Sequence, residues 1–206
     1  MADFYLASHS ARRRDLLRQV GARFEPLLLR VAPPRGPDIG EEPKAGEAAA
    51  DYVLRVAREK AESGYGALSA RSLLVRPVLS ADTIVVVDGD ILGKPNDAQV
   101  ATRFLERLSG RTHEVRTAVA LAMPSGRGHT VLTAVSTSLV SLRKIDATEI
   151  VRYCASGEPF DKAGGYGIQG RAAIFVERIE GSYSGVVGLP LAETANLLAQ
   201  AGVRLL

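Results

Sequence analysis

The chain has 206 residues, enough to bury a sizeable core, and its 46% apolar and 24% charged content excludes a disordered or fibrous protein. Lysine and arginine exceed aspartate and glutamate by 26 to 23, and the resulting charge of +3 favours small anions such as phosphates over a long polyanion. Cys154 is the single cysteine, which excludes an intramolecular disulfide and a cysteine-rich zinc framework.

At the N-terminus, MADFYLASHSARRR puts its apolar run before its basic cluster, the reverse of a secretory signal, and no apolar stretch approaches the length of a membrane span. A cytoplasmic protein is expected. DFYLAS reads as a short strand and Ser10 to Val20 as a helix with Leu16, Leu17 and Val20 as its apolar stripe, closed by Gly21. RFEPLLLRV is a second strand, and the Pro- and Gly-rich APPRGPDIGEEPKAG is a loop long enough to cover a substrate. Glu47 to Ser63 is helical, with Tyr52, Val53, Val56 and Ala57 on one face.

LLVRPVLSADTIVVVDGDILGKP predicts a strand and a hairpin turned at Asp88-Gly89, and Asp97 caps a helix that runs to Leu108 and is closed by Gly110. Two alternating β-branched runs fill the stretch from Thr112 to Leu142, and a helix follows from Ala147 to Ser156. The glycine-rich DKAGGYGIQG leads into the strand AAIFVERI, and LAETANLLAQAG is a terminal helix. Strands and helices mix throughout with no repeat or linker, so the fold class is α/β with a mixed sheet flanked by helices.

Several polar residues stand where only a partner would hold them. Arg12, Arg13 and Arg14 occupy the first turns of a helix, where the macrodipole opposes cations and a phosphate would reverse the penalty. A solvated basic face and an anion site are both open there. Asp82 interrupts an apolar run, which fits a metal ligand, a base that activates water, or a strand-end aspartate bonded to amides. Lys60 falls on the apolar stripe of its helix and must snorkel or point into a polar cleft. Lys94, placed rigidly by Pro95, is a turn lysine or a cation for a ligand. DKAGGYGIQG gathers Asp161, Lys162, Tyr166 and Gln169 but matches neither the P-loop nor the Rossmann fingerprint, and the three histidines lack metal spacing.

In order along the chain, LASHSARRRDLL, SADTIVVVDGDILGKP, EPFDKAGGYGIQG and GSYSGVVGLP resemble the motifs of the Maf family of nucleoside triphosphate pyrophosphatases, over almost the full length. The resemblance implies an inosine-triphosphate-pyrophosphatase-like mixed α/β architecture, residues 1–206 forming one domain of two closely packed lobes around a cleft, and a homodimer. It also implies attack of water on the α-phosphorus of a nucleoside triphosphate with help from a divalent metal, magnesium or manganese. By resemblance Asp82 is the catalytic carboxylate and metal ligand, Arg13, Lys60 and Lys94 are phosphate-facing cations, and Ser8 lies in the phosphate turn. Arg12, Thr83 and Gln169 carry the likeness to the subgroup acting on dTTP and UTP, Gln169 offering a donor and an acceptor to the base.

Two departures stand out. The family's VDE-type acidic pair has no counterpart in RVAPPRG, around Ala32 and Pro33, which leaves Glu41 or Glu42 as substitutes, or Asp82 alone with substrate phosphates. Ala11 replaces a proline, a mild change because alanine is a good helix former. The rival reading is a non-catalytic nucleotide- or nucleic-acid-binding regulator of cell division. Only 5% of residues are aromatic and no stacking platform is visible, which disfavours nucleic acid as a partner.

Overall fold

The computed structural model describes residues 1–30, 39–126 and 128–205. In chain order the elements are β1 (Phe4–Leu6), α1 (Ala11–Gln19), β2 (Phe24–Pro26), α2 (Ala49–Ala70), β3 (Val78–Val87), β4 (Asp90–Leu92), α3 (Ala98–Leu108), β5 (Thr112–Ser125), β6 (Gly128–Leu142), α4 (Ala147–Ala155), β7 (Val176–Glu180), α5 (Tyr183–Val187) and α6 (Leu191–Gln200). They form two compact units, the first made of Met1–Asp82, Thr117–Val135 and Gly188–Leu206, the second of Thr83–Arg116 and Ser136–Val187.

In the first unit β1 pairs in parallel with β2, Phe4 opposite Phe24, and with β3, Leu6 opposite Leu79. Val53, Val56, Ala57 and Ala61 of α2 are buried, as are Leu16 and Leu17 of α1 and Leu197 and Leu198 of α6. The buried hydroxyl of Ser80 donates to the carbonyl of Ala57, tying α2 to β3. Gly64 makes that approach possible: a Cβ there would stand 2.8 Å from Val78 Cγ1 and 3.2 Å from Ala7 Cβ.

In the second unit β3 turns into β4 with Val85 opposite Leu92, and β6 pairs antiparallel with β7, Val140 opposite Ile179. Parallel and antiparallel pairs together make the mixed sheet that the alternation of elements implied. Asp88 and Gly89 take φ of +54° and +84°, the positive pair that a two-residue hairpin of the type I′ kind requires. Asp97 accepts from Val100 N at 2.7 Å and so caps α3, while Asp146 and Glu149 close a capping box on α4. Leu105, Leu108, Ile150, Tyr153, Tyr166 and Phe175 are among the residues of this unit's core.

Among the boundaries that differ from the sequence reading, the strand expected from Leu73 begins at Val78. The helix expected to end at Ser63 continues to Ala70: Gly64 packs against β3, and Leu68 is buried one turn later. β2 covers only Phe24–Pro26, matching the three residues of β1 that pair with it. Arg171–Phe175 is a 3₁₀ helix rather than the start of a strand, since its buried residues, Ala172 and Phe175, lie three apart instead of alternating. The departure around Ala32 and Pro33 lies outside the described residues, as does most of the Pro-rich part of the loop.

Candidate active site

The site in the first unit is built where the end of β1 meets the middle of β3. Because β1 and β3 are parallel and in register at Leu6 and Leu79, and Ala7 N still donates to Leu79 O at 2.8 Å, the turn after β1 runs beside Ala81 and Asp82. That turn is ordered from within. Ser8 Oγ accepts from Ser10 N at 3.2 Å, and Ser10 Oγ accepts from Arg13 N as the cap of α1.

Arg13 extends from the first turn of α1 into the protein. Its Nε donates to Gly188 O at 2.8 Å, and its Nη1 donates to Ala81 O at 2.7 Å and Ser8 Oγ at 3.2 Å. One guanidinium thus ties the Ser8 turn, the middle of β3 and the segment before α6. Burial pulls its pKa below the ordinary value while the charge of Asp82 pulls the other way. Arg14 instead donates to His9 O from the surface, hydrogen-bonded rather than simply solvated, and Arg12 is half-exposed beside Arg13. The three arginines therefore have three different environments.

Lys60 does not snorkel. Side chains on a helix lean towards its N-terminus, and from α2 that direction takes the ammonium to Asp82 Oδ1 at 2.8 Å and Glu41 Oε1 at 2.9 Å. The side chains of Lys60 and Asp82 are only 12% and 13% exposed, so the pair is held where water screens it little. Glu41 therefore brings a second carboxylate to Lys60. The sequence offered it only as one of two substitutes, and the signal for it, an acidic residue shortly before α2, is common enough to mean little without its partner.

The donor set decides what metal chemistry fits. Asp82 and Glu41 direct two carboxylate oxygens at the same cation, and among the described residues no group of three or more His, Cys, Asp or Glu could hold a metal ion. Two monodentate carboxylates suit a magnesium-type ion that keeps waters and takes substrate phosphate oxygens, and do not suit a caged calcium or zinc site.

The remaining site residues from the sequence belong to the second unit. Thr83, next to Asp82 in β3, is half-buried, and Lys94 is exposed just beyond β4. Gln169 is exposed on the glycine-rich segment, whose shape is fixed by Glu158 and Lys162. The Glu158 carboxylate accepts from Tyr153 Oη at 3.0 Å and Arg171 N at 2.9 Å. Lys162 Nζ donates to Glu158 O at 2.7 Å and pairs with Asp161. A Cβ at Gly170 would collide with that carboxylate, and one at Gly167 would come 2.5 Å from Lys162 Cε. Lys162 and Asp161 are thus bound to each other, and Tyr166 is buried against His113 at 2.7 Å.

A profile of the Maf-like proteins matches residues 3–201. The chain is 53% identical over 199 residues to a protein of Nitrosomonas europaea named dTTP/UTP pyrophosphatase, covering 97% of this chain and 94% of that one. It is 52% identical over 203 residues to a protein of the same name from Aromatoleum aromaticum, covering 98% and 96%. The solved structure of the Staphylococcus aureus Ham1 protein aligns with a TM-score of 0.43 at 13% identity, over 68% of this chain and 71% of that one, too weak a likeness to argue from. With a profile matched almost end to end and relatives identical at about half of their positions, the chain belongs to the Maf family.

Proposed function

We propose that the protein hydrolyses dTTP and UTP to the nucleoside monophosphate and pyrophosphate, by attack of water on the α-phosphorus. The reading is supported by the name that the full-length relatives carry. The single observation that carries it is the nearly buried Asp82–Lys60 ion pair, joined by the exposed Glu41, in the same unit as the Ser8 turn that Arg13 holds.

A triphosphate brings about four negative charges into a site, so its reaction needs converging cations together with a carboxylate that handles the water. Asp82 accepts the proton of the attacking water, and Lys60 keeps that carboxylate oriented by donating to Oδ1. Arg13 supplies positive charge that desolvation keeps unscreened, and it sets Ser8 beside Ala81 to meet phosphate oxygens. A divalent cation, magnesium or manganese, when bound would neutralise part of the triphosphate charge, and Asp82 and Glu41 are the residues that would hold it. Lys94 adds a phosphate contact, Gln169 pairs with the uracil or thymine edge, and Arg12 and Thr83 tune that choice.

No helix among the described residues is long and apolar enough to cross a membrane. We place the enzyme in the cytoplasm as a homodimer, to be checked by fractionation and by light scattering. The non-catalytic regulator drew its motives from the absent acidic pair and the basic charge balance, and Glu41 beside Lys60 speaks against the first by offering a carboxylate in place of that pair. Pyrophosphate release from a panel of triphosphates with magnesium or manganese tests the reading. Turnover of dTTP and UTP supports it, and turnover confined to purine nucleotides would overturn the base assignment.

A further inference from the structure

Glu41 lies on a stretch, residues 39–48, that has no regular secondary structure, so no ladder or helix fixes its backbone. A loop carboxylate that meets a nearly buried ammonium loses conformational freedom in doing so, and something must hold it. We propose that Tyr52 and Arg55 of α2 are positioning residues that set the Glu41 carboxylate against Lys60, and through it shape the cation site shared with Asp82. The inference rests on the pyrophosphatase reading of the same site.

The anchors fall on the backbone of the residues concerned. Tyr52 Oη donates to Glu41 O at 2.7 Å, and Arg55 Nη2 donates to Glu42 O at 3.1 Å. Arg55 also grips the far end of the loop, its Nε and Nη2 donating to the two carboxylate oxygens of Glu47 at 2.6 and 2.8 Å. Glu47 closes the turn on itself, accepting from Lys44 N at 3.0 Å while its own N donates to Lys44 O at 3.0 Å. The Arg55 hydrogen bonds, with the Lys44 amide second, hold the Glu47 carboxyl down to about 2. Burial above all, with the charges of Asp82 and Glu41, pushes the Tyr52 hydroxyl up to about 12, so it stays a donor.

The two anchors are coupled and share a rigid support with the residue they serve. The Arg55 guanidinium lies 5.5 Å from the centre of the Tyr52 ring, one helical turn away, and Lys60 follows on the same helix. One element therefore presents both the ammonium and the fastening points of the carboxylate that meets it. Glu59 completes the fit by accepting from Arg55 Nη1 at 3.3 Å.

The test is a double-mutant cycle on the full chain, read by manganese binding in an EPR titration with the metal alone, and separately by the manganese dependence of pyrophosphate release. Tyr52→Phe removes one oxygen and keeps the packed ring. It should weaken manganese binding about tenfold, the size of effect that groups orienting a metal's ligands have, and leave kcat at saturating metal nearly unchanged. In a Glu41→Gln background the same substitution should change the affinity less than about twofold, because the group it acts through is gone. Arg55→Lys, which keeps the charge and loses the fork, should give a smaller loss that likewise vanishes with Glu41→Gln. Equal effects of Tyr52→Phe in both backgrounds would show a merely structural role and overturn the proposal, and so would an unchanged affinity or a wild-type protein that binds no manganese. If manganese binds with the expected coupling but neither dTTP nor UTP is hydrolysed, the functional reading fails while the positioning inference stands.

Discussion

His113→Gln should flatten the dependence of stability on pH between 7 and 5. His113 is 3% exposed, its Nε2 lies 2.7 Å from Tyr166 Oη, and burial depresses its pKa from 6.5 to about 4. Because the folded value lies below the unfolded one, the unfolded chain binds more protons between them, so the contribution is complete above 6.5 and lost as pH falls towards 4. The difference corresponds to about 3 kcal/mol in all, of which about 2 kcal/mol is gone by pH 5. The two strongly depressed carboxyls, Glu47 held by Arg55 and Glu149 held by Arg143, both near 2, act only below about 4.5, which leaves this window to the histidine. Glutamine keeps a donor near Tyr166 and does not titrate. Thermal melts followed by far-UV circular dichroism should show wild type losing roughly 4–8 °C more than the variant between pH 7 and pH 5. Parallel curves for the two proteins would refute the assignment of a buried neutral imidazole.

Further outcomes follow from other contacts. Gly64→Ala should gain about 1 kcal/mol in helix propensity but lose more from overpacking against Val78 and Ala7, for a net loss of about 1 kcal/mol in a denaturant titration; a stabilised variant would contradict the close packing of α2 on β3. Arg13→Lys, whose point charge cannot reproduce the bonds to Gly188, Ala81 and Ser8, should cut kcat/KM for pyrophosphate release by at least about tenfold, whereas Arg14→Ala should stay within about twofold. Equal effects would remove the distinction between the two arginines. Gln169→Glu loses the amide donor and adds charge, so kcat/KM for UTP and dTTP should fall by about tenfold or more; an unchanged ratio of pyrimidine to purine turnover would exclude Gln169 from base selection.

What could be read from the sequence was local. The Asp88-Gly89 turn, the Asp97 cap and the long β5–β6 pair each follow from residues within a few positions of one another, and all three are present. Lys60 was legible as an anomaly, a cation on an apolar stripe, but its partner was not: Asp82 is 22 residues away and the pairing depends on how α2 crosses β3. Glu41 was less legible still, since what gives a loop glutamate its meaning is the ammonium it meets. The same limit hid the His113–Tyr166 bond, 53 residues apart, and the packing of Gly64 against β3. Ala172 and Phe175 were misread because apolar residues near a strand satisfy either period until the buried positions are known.

The claim at the centre of the account is that Asp82, held by Lys60, handles the attacking water. Pyrophosphate release from dTTP and UTP by Asp82→Asn, with magnesium or manganese saturating and folding confirmed by thermal melt, tests it most directly. The expected result is a fall in kcat of about 10²- to 10⁴-fold, the contribution of a positioned general base. A folded Asp82→Asn protein that keeps the wild-type rate would contradict the account.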